Sequence, residues 1–549
     1  MTLYETIQKN AQENPTDIAV KYFNTEWTYS KLALEVDRVA GSLKRLGVEK
    51  GDRIGVCLPN CPDMLAVFYG INKLGAVAVM FNPKSPADEM ERQLRMTECK
   101  GMFFSRIAMD SIMGMKNVDE DMFMICVPIL PYMPVHIKIA IMSRLAKQKS
   151  MNAFLKKYKN GYSYSSFLKK SMLANKNTDD KCDAVVIFSG GTNGTFKAVV
   201  HSSESFEQSA FNSLETEKPL PDKLSMMAVL PAFHIFGLTV AIHLPLYAGG
   251  SVVLVPVFNL GIMTKIIKKE CPVFFPGVPT IFERLLRYPK FNKLASKGQL
   301  NFSKFKHGFV GGDNLTDSVR DEFNELIRKN GGSGYISMGY GMSECCPICV
   351  NNRESGSPES IGILFDDMQM KILDEESDVE VAAEEIGEIA IASKHLMSYG
   401  FDEEGNRTEP YKDEKGVCWL RTGDLGYIKD NKVHYKCRQR RIIKVSGNTV
   451  FASSIEKILL ENIENVKGVY VVPIPHETRG YGAFAFVNTE KEIKDDELLK
   501  IVRNVCKNRM IPYAIPVGAA CISESDIPYT PIGKVSWGKL EKKAQEIMH

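Results

Sequence analysis

The chain has 549 residues, too many for a single hydrophobic core, so more than one domain is expected. Its composition, 44% hydrophobic and 25% charged, is that of an ordinary globular protein, and a formal charge of +3 excludes a general attraction to nucleic acid or membranes. The opening MTLYETIQKNAQENP has neither the basic start nor the apolar core of a secretory signal, and the thirteen cysteines are scattered and odd in number, so reduced thiols in a cytoplasm are expected.

Along the first half, helical and strand patterns alternate. Thr28-Tyr-Ser30 opens a helix with apolar Leu32, Val36, Val39, Leu43 and Leu46, closed by Gly47. Arg53–Leu58 reads as a buried strand, Asp63–Leu74 as an apolar helix and Ala76–Phe81 as a second strand. Strand, helix and strand at this spacing imply βαβ units and a mostly parallel sheet. The stretch 122–142 has three prolines, His136 and Lys138, so it does not read as a membrane span. Val135–Lys149 mixes apolar residues with Lys138, Arg144, Lys147 and Lys149. It reads as the basic face of a short helix, with weak contact to a membrane surface as the alternative.

Ala184–Phe188 is a strand pattern, followed by Ser189, Gly190, Gly191, Thr192, Asn193, Gly194, Thr195, Phe196 and Lys197. Glycines let successive backbone N–H groups turn inward around an anion, the hydroxyls of Ser189, Thr192 and Thr195 can donate to phosphate oxygens, and Lys197 adds a full charge. The spacing is not that of the ordinary P-loop, so the run reads as a phosphate loop of another kind or as a plain surface loop. Strand patterns recur at Met226–Leu230, Ser251–Val255 and Val273–Phe275. The one C-x-x-C, Cys346 to Cys349, lacks a second pair for zinc. From about Ile361 the texture changes to short strands, Met370–Leu373 and Glu388–Ile391, with acidic turns. After the basic run Cys437–Lys444 come a helix near Ser453–Asn462, strands near Val469–Val472 and Ala483–Val487, and a helix over Asp495–Lys507. These form a compact α+β unit of about a hundred residues. The boundary is placed near Arg438–Arg441, giving domains 1–437 and 438–549.

Six further motifs follow the loop in order: Pro231-Ala-Phe-His-Ile-Phe-Gly237; Gly311-Gly312-Asp313; Tyr340-Gly341-Met342-Ser343-Glu344; Arg421-Thr-Gly-Asp424; Arg438 with Lys444-Val-Ser446-Gly447; and Pro528-Tyr-Thr-Pro-Ile-Gly-Lys534. Together with the loop they resemble the adenylate-forming (AMP-binding) superfamily of acyl-CoA synthetases, peptide-synthetase adenylation domains and luciferases, from Thr28 to Leu540. The resemblance implies an α/β fold, with a large N-terminal domain of mixed and parallel sheets flanked by helices, a β-rich subdomain and a small mobile α+β C-terminal domain. It implies ATP, Mg²⁺ and coenzyme A, and two half-reactions. A carboxylate attacks the α-phosphate to give acyl-AMP and pyrophosphate, and a thiol then takes the acyl group.

By the same resemblance, Ser189–Lys197 holds the outgoing phosphates, and Glu344 with Thr192 binds the metal. Asp424 accepts the ribose hydroxyls, and Arg438 contacts ribose or phosphate. Gly311, Gly312, Asp313 and Tyr340 frame adenine, and Gly341, Met342 and Ser343 complete the nucleotide site. Lys534 bridges the substrate carboxylate and the α-phosphate, Arg440 occupies the hinge, and Lys444, Ser446 and Gly447 belong to the thiol region. His234 borders the acyl pocket or thiol tunnel, with a core histidine as the plain alternative. For the isolated residues the plain alternatives are a surface carboxylate at Glu344, a turn residue at Asp424 and a core aromatic at Tyr340. The sequence departs from the family pattern at Asn193, Phe196, Ala198, Ser343, Cys437, Arg440, Ala452 and Ser454, and in the order Tyr399-Gly400.

Phe233–Leu238 has no Asp to pair with an α-amino group, which argues against an amino-acid substrate. Leu130-Pro-Tyr-Met-Pro134 before a basic helix resembles an inserted segment of long-chain acyl-CoA synthetases, so a medium- or long-chain fatty acid is the expected substrate. An acyl-AMP ligase loading an acyl carrier protein and a non-catalytic nucleotide or acyl sensor are the two rival readings.

Overall fold

The computed structural model describes residues 1–135, 138, 150–169, 176, 179–190, 196–312, 315–346, 350–351, 362–374, 377, 379–382, 384–430, 432–445, 448–476, 480–489, 493–507, 509–529 and 535–548. They fall into two units: Met1–Gly191, Thr195–Gln369 and Ala392–Leu420 form the first, while Met370–Ile391 and Arg421–His549 fall in the second.

Short apolar strands build a nine-stranded sheet in the first unit. Its order is Arg407–Thr408, Tyr399–Asp402, Phe196–Ser202, Asp183–Gly190, Val77–Met80, Arg53–Cys57, Gly101–Ser105, Phe123–Val127 and Gly161–Ser163. From Asp183–Gly190 to Gly161–Ser163 the strands are parallel, and the remaining three are antiparallel. All of Val77–Met80 is buried because both faces of the sheet are covered. Ala78 and Met80 enter one core with Ile54, Val56 and Ile187, while Val77 and Val79 enter another with Met102, Phe104 and Val186.

Helix Pro62–Lys73 is buried along its whole length. Helix Tyr29–Arg45 turns Leu32, Val36, Val39 and Leu43 into the same core, and the Thr28 hydroxyl caps it by accepting from the Lys31 N–H. A second sheet runs Ser225–Ala228, Ser251–Leu254, Ile18–Tyr22 and Thr25–Thr28. Val273–Phe275, expected as a full strand, contributes only parallel bridges through Phe274 to Met226 and His307. Pro272 and Pro276 flank it, and without their N–H groups the ladder cannot lengthen. Those bridges lead to the parallel pair His307–Val310 and Tyr335–Tyr340.

In the second unit Asp424–Lys429, the latter part of strand Cys418–Lys429, pairs antiparallel with Lys432–Arg438. A long hairpin, Val466–His476 with Gly480–Thr489, then carries Ile442–Val445 antiparallel and Gly518–Cys521 parallel on its second strand. Helices Ala452–Asn462 and Asp495–Lys507 cover one face through Ile455, Leu459, Leu498 and Val502, and helix Trp537–Met548 covers the other through Leu540 and Ala544. Among the described residues no helix is long and apolar enough to cross a membrane. Most of Val135–Lys149 lies outside the described residues.

Candidate active site

Strand Asp183–Gly190 ends where the sheet changes from parallel to antiparallel, and the chain returns as Phe196–Ser202. Carboxyl ends of parallel strands are where ligands of α/β folds bind. Gly191, Thr192, Asn193, Gly194 and Thr195 lie outside the described residues. The flanks of the loop are in register: Ser189 stands opposite Lys197, and its hydroxyl donates to the Lys197 carbonyl at 3.4 Å.

The Lys197 ammonium lies 3.5 Å from Oε1 of Glu344, whose side chain is 13% exposed. Gly400, on the neighbouring strand, makes room for the lysine stem. A Cβ there would sit 2.6 Å from Lys197 Cε and 3.2 Å from the Ala198 carbonyl oxygen. The unusual order Tyr399-Gly400 therefore puts the small residue against Lys197 and leaves the Tyr399 hydroxyl to donate to Asp183 at 2.9 Å.

Glu344 sits in a single 3₁₀ turn, Ser343–Cys345, after strand Tyr335–Tyr340. Tyr340 is buried, and Gly341, Met342 and Ser343 are half-buried. Three contacts hold the turn. The Met397 N–H donates to the Glu344 carbonyl at 2.7 Å, Ser209 Oγ donates to the Cys346 carbonyl at 2.8 Å, and His201 Nε2 meets the Ser343 carbonyl at 2.7 Å. Burial lowers the His201 pKa to about 4, so the ring is neutral at pH 7. Burial also pushes the Cys346 thiol up, which keeps it protonated; Cys349 lies outside the described residues. Sequence reasoning missed His201 and Met397, and it noted Gly400 only for its unusual order after Tyr399, not for its place against Lys197. The available signal was alternation: Lys197 and His201 are four residues apart on one strand, hence on one face of it.

In Pro231–Gly237 the His234 N–H donates to the Pro231 carbonyl at 3.1 Å, and His234 Nδ1 accepts from the Phe236 N–H at 3.3 Å. Gly237 is required sterically, because a Cβ would lie 2.1 Å from the Pro231 oxygen. Residues Gly237–His243 then form a π-helix, a rare geometry that is frequent at functional sites. Phe236 reaches Gly311, whose Cβ position is 3.2 Å from its Cε1. Gly312 follows at the end of strand His307–Val310, and Asp313 lies outside the described residues.

Arg421-Thr-Gly-Asp424 belongs to the second unit and is a strand segment, not a turn. Glu388 accepts from Arg421 Nε at 2.7 Å and from the Gly423 N–H at 2.9 Å, while the Thr422 hydroxyl donates to the Ile389 carbonyl at 2.7 Å. These bonds fix buried Asp424, which faces Arg438 across the strand pair with 3.1 Å between Oδ1 and Nε. Ser446, Gly447 and Lys534 lie outside the described residues, as do the side chains of Arg440 and Lys444. No group of three or more His, Cys, Asp or Glu side chains able to hold a metal occurs among the described residues. A lone carboxylate such as Glu344 fits an ion that arrives on phosphate oxygens, as Mg²⁺ does.

A family model described as AMP-binding enzyme matches residues 7–399. The chain belongs to this family. Its relatives include a long-chain-fatty-acid–CoA ligase of Bacillus subtilis, 26% identical over all of this chain and 95% of the relative. A 4-coumarate–CoA ligase of Petroselinum crispum is 26% identical over 85% of this chain and 82% of the relative. The fold of this AMP-binding enzyme matches the anthranilate CoA ligase AuaEII in complex with anthranoyl-AMP, with a TM-score of 0.76 and 20% identity over 100% and 98% of the two chains. ATP-bound MatB from Rhodopseudomonas palustris matches at a TM-score of 0.78 and 18% identity over all of both chains.

Proposed function

We propose that this enzyme activates a medium- or long-chain fatty acid with ATP and Mg²⁺, forming acyl-AMP and pyrophosphate, and passes the acyl group to coenzyme A. The observation that carries the proposal is the Lys197–Glu344 pair at 3.5 Å, set at the carboxyl end of the parallel sheet and followed by the family's motifs. A carboxylate attacking a phosphate brings anion to anion, so fixed positive charge must supply most of the rate. Lys197, its stem seated on Gly400, donates to the departing phosphates, with Ser189 and Thr192 beside it in sequence. Glu344, with Thr192, holds the metal, which when bound neutralises phosphate charge.

Asp424 binds the ribose, Arg438 contacts the ribose or a phosphate, and Gly311, Gly312, Asp313, Tyr340, Gly341, Met342 and Ser343 receive the rest of the nucleotide. Lys534, on the proposed C-terminal domain 438–549, bridges the acid and the α-phosphate, and Arg440 bears the hinge. Lys444, Ser446 and Gly447 serve the thiol step with His234 at the acyl pocket. The fatty-acid choice is supported by the Bacillus subtilis relative and by the buried apolar run of Leu230, Ile235, Leu238, Val240, Ile242 and Leu246. The eleven cysteines whose side chains are described are free thiols, which supports a reducing, cytoplasmic setting.

The test is acid-dependent AMP release from ATP and Mg²⁺ across acetate to palmitate plus aryl acids, with and without coenzyme A, beside Lys534→Ala. A fatty acyl thioester, lost in the variant, is expected. Aryl thioesters alone overturn the substrate class. Adenylate without thioester points to a carrier-protein acceptor, and silence with every acid overturns the ligase reading.

A further inference from the structure

The turn that carries Glu344 is too short to hold its own direction. It is one 3₁₀ turn, ending at Cys346 with φ of +46°, a left-handed conformation that a β-substituted residue adopts only when its surroundings impose it. His201 supplies much of that surrounding. Its Nε2 donates to the Ser343 carbonyl at 2.7 Å, one residue before Glu344. With Nε2 as the donor, its Nδ1 accepts a hydrogen bond from the Cys346 thiol at 3.1 Å, two residues after, nearer to that sulfur than the Ser205 hydroxyl oxygen at 3.8 Å, while the Ser205 hydroxyl donates to the Ser202 carbonyl at 2.9 Å. The ring is fully buried and edge-on to Phe206, so it has no freedom to swing. The same strand places Lys197 four residues earlier on the same face. One imidazole thus ties the strand of the phosphate-loop lysine to both sides of the residue that takes the metal.

We propose that His201 is a positioning residue, which aims the Glu344 carboxylate at the metal on the nucleotide phosphates. The proposal rests on the reading of Glu344 as the metal ligand. Partners that orient a ligand in this way are worth about tenfold or more in metal affinity.

The test is equilibrium binding of ATP by calorimetry, with and without Mg²⁺, to the full-length chain and to Glu344→Gln, His201→Leu, His201→Gln and the double variant His201→Leu/Glu344→Gln. His201→Leu should cut the Mg²⁺-dependent gain in ATP affinity by about tenfold while leaving metal-free ATP binding unchanged. His201→Gln, whose amide nitrogen reaches the place of Nε2, should keep most of the gain. The double variant should be no worse than Glu344→Gln alone, because the two residues act through one ligand. A full gain in His201→Leu, equal loss in Leu and Gln, or losses that multiply would each overturn the proposal. Should the leucine variant not fold, His201→Asn, whose amide stops short of the carbonyl, replaces it in the comparison with Gln. An unchanged gain in Glu344→Gln would overturn the metal reading itself and the proposal with it.

Discussion

At the scale of single residues, the site is a set of charges held in place by neutral neighbours. Lys197→Met removes the fixed cation and should lower kcat for acid-dependent pyrophosphate exchange by about 10²- to 10³-fold, the range for a lost donor to developing charge. Gly400→Ala should lower it less, with ATP affinity falling alongside, because a methyl group 2.6 Å from Cε displaces the lysine stem without deleting its charge. Equal activity of Gly400→Ala and the unaltered chain would show that the glycine has no part in seating Lys197. The position of Lys197 was legible from the loop, but its packing against Gly400 was not. Residues 198 to 399 separate them along the chain, and only strand pairing brings Gly400 alongside.

His395 is another buried histidine, neither of whose ring nitrogens has a hydrogen-bond partner among the described residues, and burial lowers its pKa to about 4. Its folded value lies below the unfolded value near 6.5, so the stability it permits is present above that pH and is lost as pH falls toward 4. His395→Leu should therefore flatten the loss of thermal stability between pH 6.5 and 4 and raise the melting temperature at pH 7, since an unpartnered buried polar group costs about 1–3 kcal/mol. Differential scanning calorimetry across that range checks both.

At the scale of elements, caps and breakers were readable and lateral reach was not. Thr28 caps its helix as its sequence position predicts, and Gly47 follows the helix end with φ of +77°. The Val273–Phe275 run has the apolarity of a strand, yet its flanking prolines limit it to bridges. Asp63 shows how an element alters a residue. In the first turn of a buried helix, it loses water on nearly every side, and burial raises its pKa to about 7 despite the Tyr132 hydroxyl donating to it at 3.3 Å. For a carboxyl raised in the fold, stability is greatest below the unfolded value near 4 and declines as pH rises through 7. Asp63→Asn should thus be more stable than the unaltered chain at pH 8, by up to a few kcal/mol, with the difference shrinking toward pH 4. A constant difference between pH 4 and pH 8 in urea unfolding would contradict this. Gly237→Ala should unfold more easily by about 1–3 kcal/mol, because its methyl group drives the turn off the Pro231 carbonyl.

At the scale of the whole molecule, the sequence by itself determined the alternation of helix and strand and the order of the motifs. These depend on local spacing: runs such as Val77–Met80 are apolar at every position because both faces of their sheet are covered, and the motif residues are fixed by position along the chain. Only the tertiary structure decided what holds the motifs in place. Glu388 behind Arg421 and Gly423, Gly400 beneath Lys197, and His201 and Met397 around Glu344 all come from distant parts of the sequence. A buried carbonyl or carboxylate needs a partner, but any donor the fold delivers can satisfy it. Nothing in the residues beside the motif specifies which one arrives.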